Sequence, residues 1–200
     1  MKLAGYSLVP LALLCLAACD RSDEVPDAEP GPTKEQAAQD AAPLFASTYT
    51  DFDLEKCDVL SEERAEGSSA TFQCHGFGKA AIFVQEGDGR FDLDAGVDDD
   101  GFQTISAFND IGDTIEWRLE GGEPFAVIFR FKDVSLETGQ AGRTVLAVET
   151  VGRSGSPGCR VVQIAGNTPD ANQKAREFAD ATRKAEFSCP QQPEMVGEAS

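Results

Sequence analysis

Few residues in this chain are of types that do chemistry. Histidine occurs once, at His75, inside Gln73-Cys74-His75-Gly76-Phe77-Gly78-Lys79. A histidine titrates near neutral pH, so it can serve as a base or as a pH-sensitive contact. Glycine on either side of Phe77 also makes a tight loop, because glycine supplies positive φ. His75, Gly76, Phe77 and Gly78 are therefore a candidate binding loop. Gly76-Phe77-Gly78 is too short to cradle a phosphate, and Lys79 does not rescue it. Asp88, Asp92, Asp94, Asp98, Asp99 and Asp100 form an acidic cluster. Calcium requires six to eight oxygen ligands, and this spacing departs from an EF-hand loop, so the cluster reads as a solvated acidic turn with cation binding as the competing role. Ser154-Gly155-Ser156 offers hydroxyls without a nucleophile-elbow motif around them. No metal or cofactor motif is present in the sequence, the expectation is that none is needed, and no catalytic residue is assigned.

The elements that hold these residues are legible as short alternating runs between turns. Val59–Arg64 and Ala70–Cys74 flank Glu66-Gly67-Ser68-Ser69 as one hairpin. Ala80–Gln85 and Arg90–Asp94 flank Glu86-Gly87-Asp88-Gly89 as a second. In Thr114–Glu120, Ile115, Trp117 and Leu119 face one way and Glu116, Arg118 and Glu120 the other. Phe125–Lys132 returns after Gly121-Gly122-Glu123-Pro124, and Thr144–Val151 and Cys159–Ile164 flank Gly152–Gly158. The strands are expected to be antiparallel, most with one wet face. The period then changes. Thr168-Pro169-Asp170 starts a helix with a hydroxyl cap, and Ala171, Ala175, Phe178, Thr182 and Ala185 follow at helical spacing until Cys189-Pro190 ends it. The expected fold is α+β: an antiparallel sheet built from hairpins, with a C-terminal helix packed on it. One domain should span 44–189, and 190–200 should be a disordered tail.

Six cysteines sharpen this picture. Cys57, Cys74, Cys159 and Cys189 lie in the domain, and an even number in an oxidising compartment reads as two disulfides. Zinc fits poorly, since no two of the four are two to four residues apart and there is a single histidine. The numbers 57 and 74 add to 131, which places the fold-back of the first hairpin between Ala65 and Glu66 and sets Cys57 opposite Cys74. Cys159–Cys189 is then the second bond, tying the last strand to the helix end.

Cys15 and Cys19 belong to a different segment. Met1-Lys2 is followed by an uncharged run to Ala18, a secretory signal that is shorter than a membrane span and contains Pro10. Leu16-Ala17-Ala18-Cys19 resembles the lipobox of bacterial lipoproteins. That resemblance implies cleavage after residue 18 and acylation of Cys19, with Cys15 leaving in the signal peptide. Residues 20–32 are acidic and proline-rich and read as a flexible tether, able to reach roughly 45 Å when extended. Thr33-Lys34-Glu35-Gln36 has capping-box form, so a short helix is expected before Pro43. Asp20 resembles an inner-membrane retention signal, which points to a periplasm-facing lipid anchor in the inner membrane, with the outer membrane as the alternative.

A formal net charge of -18 repels nucleic acid and anionic head groups. Membrane contact is thus expected through the lipid, and a basic envelope protein is a candidate partner. QCHGFG, FVQEGDGRFDLDAG, TIEWRL followed by PFAVIFRF, and the helix ending in Cys-Pro together resemble an uncharacterised family of small bacterial secreted proteins. This implies a fold unit without an activity. The expected function is a non-catalytic, lipid-anchored binding or structural module. The alternatives are an envelope hydrolase using His75 or a carboxylate pair, and an inhibitor of a basic lysozyme-like enzyme.

Overall fold

The computed structural model describes residues 44–65, 67–99, 101–135 and 142–200. The expected signal peptide, Cys19, tether and Thr33 helix lie outside the described residues, as do Glu66 and Asp100. Among the described residues, eleven strands and one α-helix follow in chain order, with a 3-10 turn at Leu54–Lys56: β1 (Phe45–Asp51), β2 (Asp58–Glu63), β3 (Ser69–Phe77), β4 (Ala80–Gly87), β5 (Arg90–Ala95), β6 (Asn109–Ile111), β7 (Thr114–Glu120), β8 (Glu123–Asp133), β9 (Thr144–Thr150), β10 (Arg160–Ala165), α1 (Ala171–Ala181) and β11 (Glu194–Val196). They make two sheets. The smaller has the order β2-β3-β4-β5; the larger has the order β1-β7-β8-β9-β10-β11, with β6 also pairing β8. Every pairing is antiparallel except β10 with β11. The α+β architecture and both disulfides are as expected. Asp58 faces Gln73 and Val59 faces Phe72, the register that brings Cys57 and Cys74 to a Cα separation of 4.4 Å. Cys159 and Cys189 are bonded with a Cα separation of 5.9 Å.

The alternation within each strand fixes which face packs where. Ile82, Val84 and Leu93 of the smaller sheet meet Trp117, Val127, Phe129 and Phe131 of the larger in one core. Trp117 is fully buried, and its indole Nε1 donates to Thr50 Oγ1 at 2.9 Å. On the opposite face of the larger sheet, Ala126, Ile128, Leu146, Val148, Val162 and Ile164 pack under Ala171, Ala175 and Ala179 of α1. The small alanine side chains let the helix lie close to the sheet. The expectation that most strands have one wet face is therefore corrected for the larger sheet, whose central strands are covered on both sides.

Charge docks the helix at the β7 side. Glu116 accepts from Arg176 Nε at 2.6 Å, Arg118 pairs bidentately with Asp180 at 2.9 and 2.8 Å, and Glu120 accepts from Arg183 Nε at 2.8 Å. Alternate strand residues are about 6.7 Å apart and four helical residues rise about 6 Å, so Arg176 and Asp180 match Glu116 and Arg118, and Arg183, just past the helix end, reaches Glu120. Signs alternate along both rows, which specifies the register of helix on sheet.

Three further expectations are corrected. The 190–200 segment is not a frayed tail: β11 pairs in parallel with Val162–Ile164, Ala199 is buried, and Arg143 Nη1 and Nη2 donate to the backbone oxygens of Glu198 and Ser200. The helix has no hydroxyl cap, because Asp170 takes the left-handed conformation at φ 57° and its carbonyl accepts from Lys174 N. It also ends at Ala181, well before Cys189, where Thr182 Oγ1 turns back to bond Ala179 O at 2.7 Å.

Candidate binding cleft

At one end of the molecule the two sheets splay around a cleft of about 810 Å³. Four turns form its walls, because antiparallel strands return alternate turns to the same end. The β3–β4 turn contributes Phe77, Gly78, Lys79 and Ala80; the end of β5 contributes Gly96 and Val97; the β7–β8 turn contributes Glu123 and Pro124; and the β9–β10 loop contributes Val151, Gly152, Arg153 and Ser154. The sheets are stitched together at its base, where Gly152 N donates to Ala95 O at 2.7 Å. Gly96 permits that approach: a Cβ there would lie 2.2 Å from Gly152 O, and its φ is 86°. Phe77 packs its ring 6.1 Å from the Trp117 ring, giving the cleft an aromatic floor.

The candidate loop is split by this geometry. Phe77 and Gly78 line the cleft. His75 is exposed and lines a neighbouring groove with Lys56, Asp58 and Gln73, which shares Gly78, Lys79 and Ala80 with the cleft. The cause is a register shift between Cys74 and Phe77, which turns the chain over at His75-Gly76. Gly76 is required there, since a Cβ would meet Ala80 O at 2.0 Å and Trp117 at 3.1 Å. Ser154 lies in the cleft and His75 in the other groove, so these two are not brought together as a nucleophile and base.

The acidic cluster is corrected from a solvated turn to a partly buried one. Asp92 and Asp94 are 2% and 4% exposed. Both sit where the free edge of β5 meets β9 and β10. Arg160 of β10 crosses that seam: its Nε donates to Glu149 Oε2 at 3.0 Å, its Nη2 to Asp92 Oδ1 at 2.7 Å, and its Nη1 to Gln103 O at 2.8 Å. The guanidinium also lies 5.0 Å from the Phe129 ring centroid. Asp92 accepts from the backbone N–H groups of Leu93 and Gln103. Burial pushes the Glu149 carboxyl well above its ordinary range, against the pull of Arg160. Burial likewise lifts Asp94 to about 6, opposed by its hydrogen bond with Glu149 and reinforced by the Asp92 and Asp99 charges. Asp98 accepts from Gln85 Nε2 at 2.9 Å and Asp99 from Gly101 N at 2.6 Å. Among the described residues, no three His, Cys, Asp or Glu side chains gather as a metal-holding set.

Motif reading singles out none of Val97, Glu123 and Arg153, and weighs Lys79 only as an insufficient phosphate contact. The available signal was positional: the turns after β3, β7 and β9 must fall at one end of a meander, and each contains glycine. Arg160 carried no local signal, since its partners lie 11 and 68 residues away. No family model, curated protein or solved structure matches the chain, so its own residues carry the reading of what it does.

Proposed function

We propose that this chain is an exported bacterial protein, acylated on Cys19 and held to the inner membrane facing the periplasm, whose oxidised domain is a non-catalytic binding module. The observation that carries the reading is the fate of the thiols. All four cysteines of the domain are consumed in two disulfides, which persist in oxidising compartments. Cys15 departs with the signal peptide, so Cys19 is the one thiol left to the mature chain, and it sits at the end of Leu16-Ala17-Ala18. The end cleft supplies the binding surface. Its apolar floor and few polar rim groups are what small-ligand sites share, and His75 faces a different groove.

Fractionation of cells tests this. The full-length protein is expected to sediment with membranes and to be released by detergent. Cys19→Ser is expected in the soluble fraction or as uncleaved precursor, while Cys15→Ser behaves as the parent. Soluble parent protein would overturn the reading.

A further inference from the structure

The cleft holds an imbalance of charge that runs against the rest of the molecule. The chain has 35 acidic and 17 basic residues. Most described basic side chains on the domain are engaged by carboxylates, as in Lys56–Asp53, Arg64–Glu62, Arg90–Asp88, Arg118–Asp180, Lys132–Asp113, Arg143–Asp133 and Arg183–Glu120. Lys79 and Arg153 are exposed and make no ion pair among the described residues, and both line the same cleft from turns on different sheets, Lys79 at the edge it shares with the His75 groove. Glu123, on the β7–β8 turn, is the acid that lines it. The same cleft is lined by the apolar Phe77, Ala80, Val97, Pro124 and Val151. Low-polarity walls strengthen a charge interaction relative to open water. Two cations without a carboxylate partner among the described residues, beside apolar surface in so acidic a molecule, match a ligand with a negative head and an apolar body.

We infer that the cleft between the β3–β4 turn and the β9–β10 loop binds a small amphiphile carrying one carboxylate on an aliphatic body, the carboxylate held by Lys79 and Arg153 and the body lying on Phe77, Val97 and Val151. The inference rests on the reading of the domain as a binding module and names its ligand class. Arg153 suits this role because its guanidinium can grip a carboxylate bidentately. The cleft volume lies within the range of small-molecule sites.

The test uses the full mature protein and dansyl-undecanoic acid as a fluorescent probe. Saturable binding is expected, displaced by decanoate and not by decanol at the same concentration, and weakened by added salt. Lys79→Gln/Arg153→Gln is expected to weaken the probe at least tenfold, with an unchanged melting temperature because both residues are exposed. Lys184→Gln, at an exposed cation on the helical side, is expected to bind as the parent. Absence of saturable binding, equal displacement by decanol, or full affinity in the double variant would overturn the inference. The decanoate and decanol comparison stands on the unmutated protein alone. Failure here with membrane attachment intact removes the ligand class and leaves the anchored module. Loss of membrane attachment instead removes the parent reading.

Discussion

Replacing Asp94 by asparagine gives a worked case of how the buried seam controls stability. In the native state Asp94 holds its proton up to about pH 6, whereas the ordinary value is 3.8. Between those values the folded chain binds a proton that the unfolded chain has released. Stability therefore falls as pH rises through this window, and above it the whole penalty is present. Two units at about 1.4 kcal/mol each give a loss of up to about 3 kcal/mol. Asparagine cannot ionise, and its amide can donate to Glu149 Oε1, which has no N–H donor among the described residues. Asp94→Asn should match the parent near pH 4 and exceed it by up to about 3 kcal/mol at pH 7. Urea unfolding with both disulfides intact, run at half-unit steps from pH 4 to 8, measures the difference. A difference that stays flat across that range would refute the upward push of burial on Asp94, because Asp94 would then titrate alike in both states.

Gly76→Ala should destabilise by several kcal/mol, since its Cβ would overlap Ala80 O, whereas Gly78→Ala, with open space but φ of 63°, should cost about 1 kcal/mol; thermal melts separate the two. Asp180→Ala leaves the buried Arg118 guanidinium short of its carboxylate and should cost about 2–3 kcal/mol, while Arg118→Met/Asp180→Leu should cost less than that single change in a double-mutant cycle. Deleting residues 191–200 removes β11 and the backbone partners of Arg143, and should lower stability by at least about 1 kcal/mol in denaturant unfolding, where a free tail would leave it unchanged.

What local patterning can reveal, it reveals here. Alternation and glycine turns locate β2–β5 and β7–β10 to within a few residues, and the sum of hairpin positions identifies the first disulfide. Those signals are short-range. β1 went unread because FASTYTD mixes sizes and polarities, and its partner β7 begins 63 residues after it ends. β6 and β11 have three residues each, too few for a period. Charge misleads for a related reason. Glu116, Arg118 and Glu120 look like a wet face until α1 supplies Arg176 and Asp180 and the turn after it supplies Arg183, and Asp92 looks solvated until Arg160 arrives. Alternation tells which residues share a face, while what covers that face is decided by distant chain. The cleft was half legible: Phe77 and Gly78 stood out as a loop, but Arg153 and Val97 join them only through the pairing of whole strands.

Intact mass spectrometry of the mature protein, extracted in detergent without reductant, bears most directly on the anchored, oxidised module. The expected mass is that of residues 19–200 with diacylglycerol on Cys19 and four hydrogens missing for two disulfides. An unacylated chain, or one with the four domain thiols free, would contradict the account.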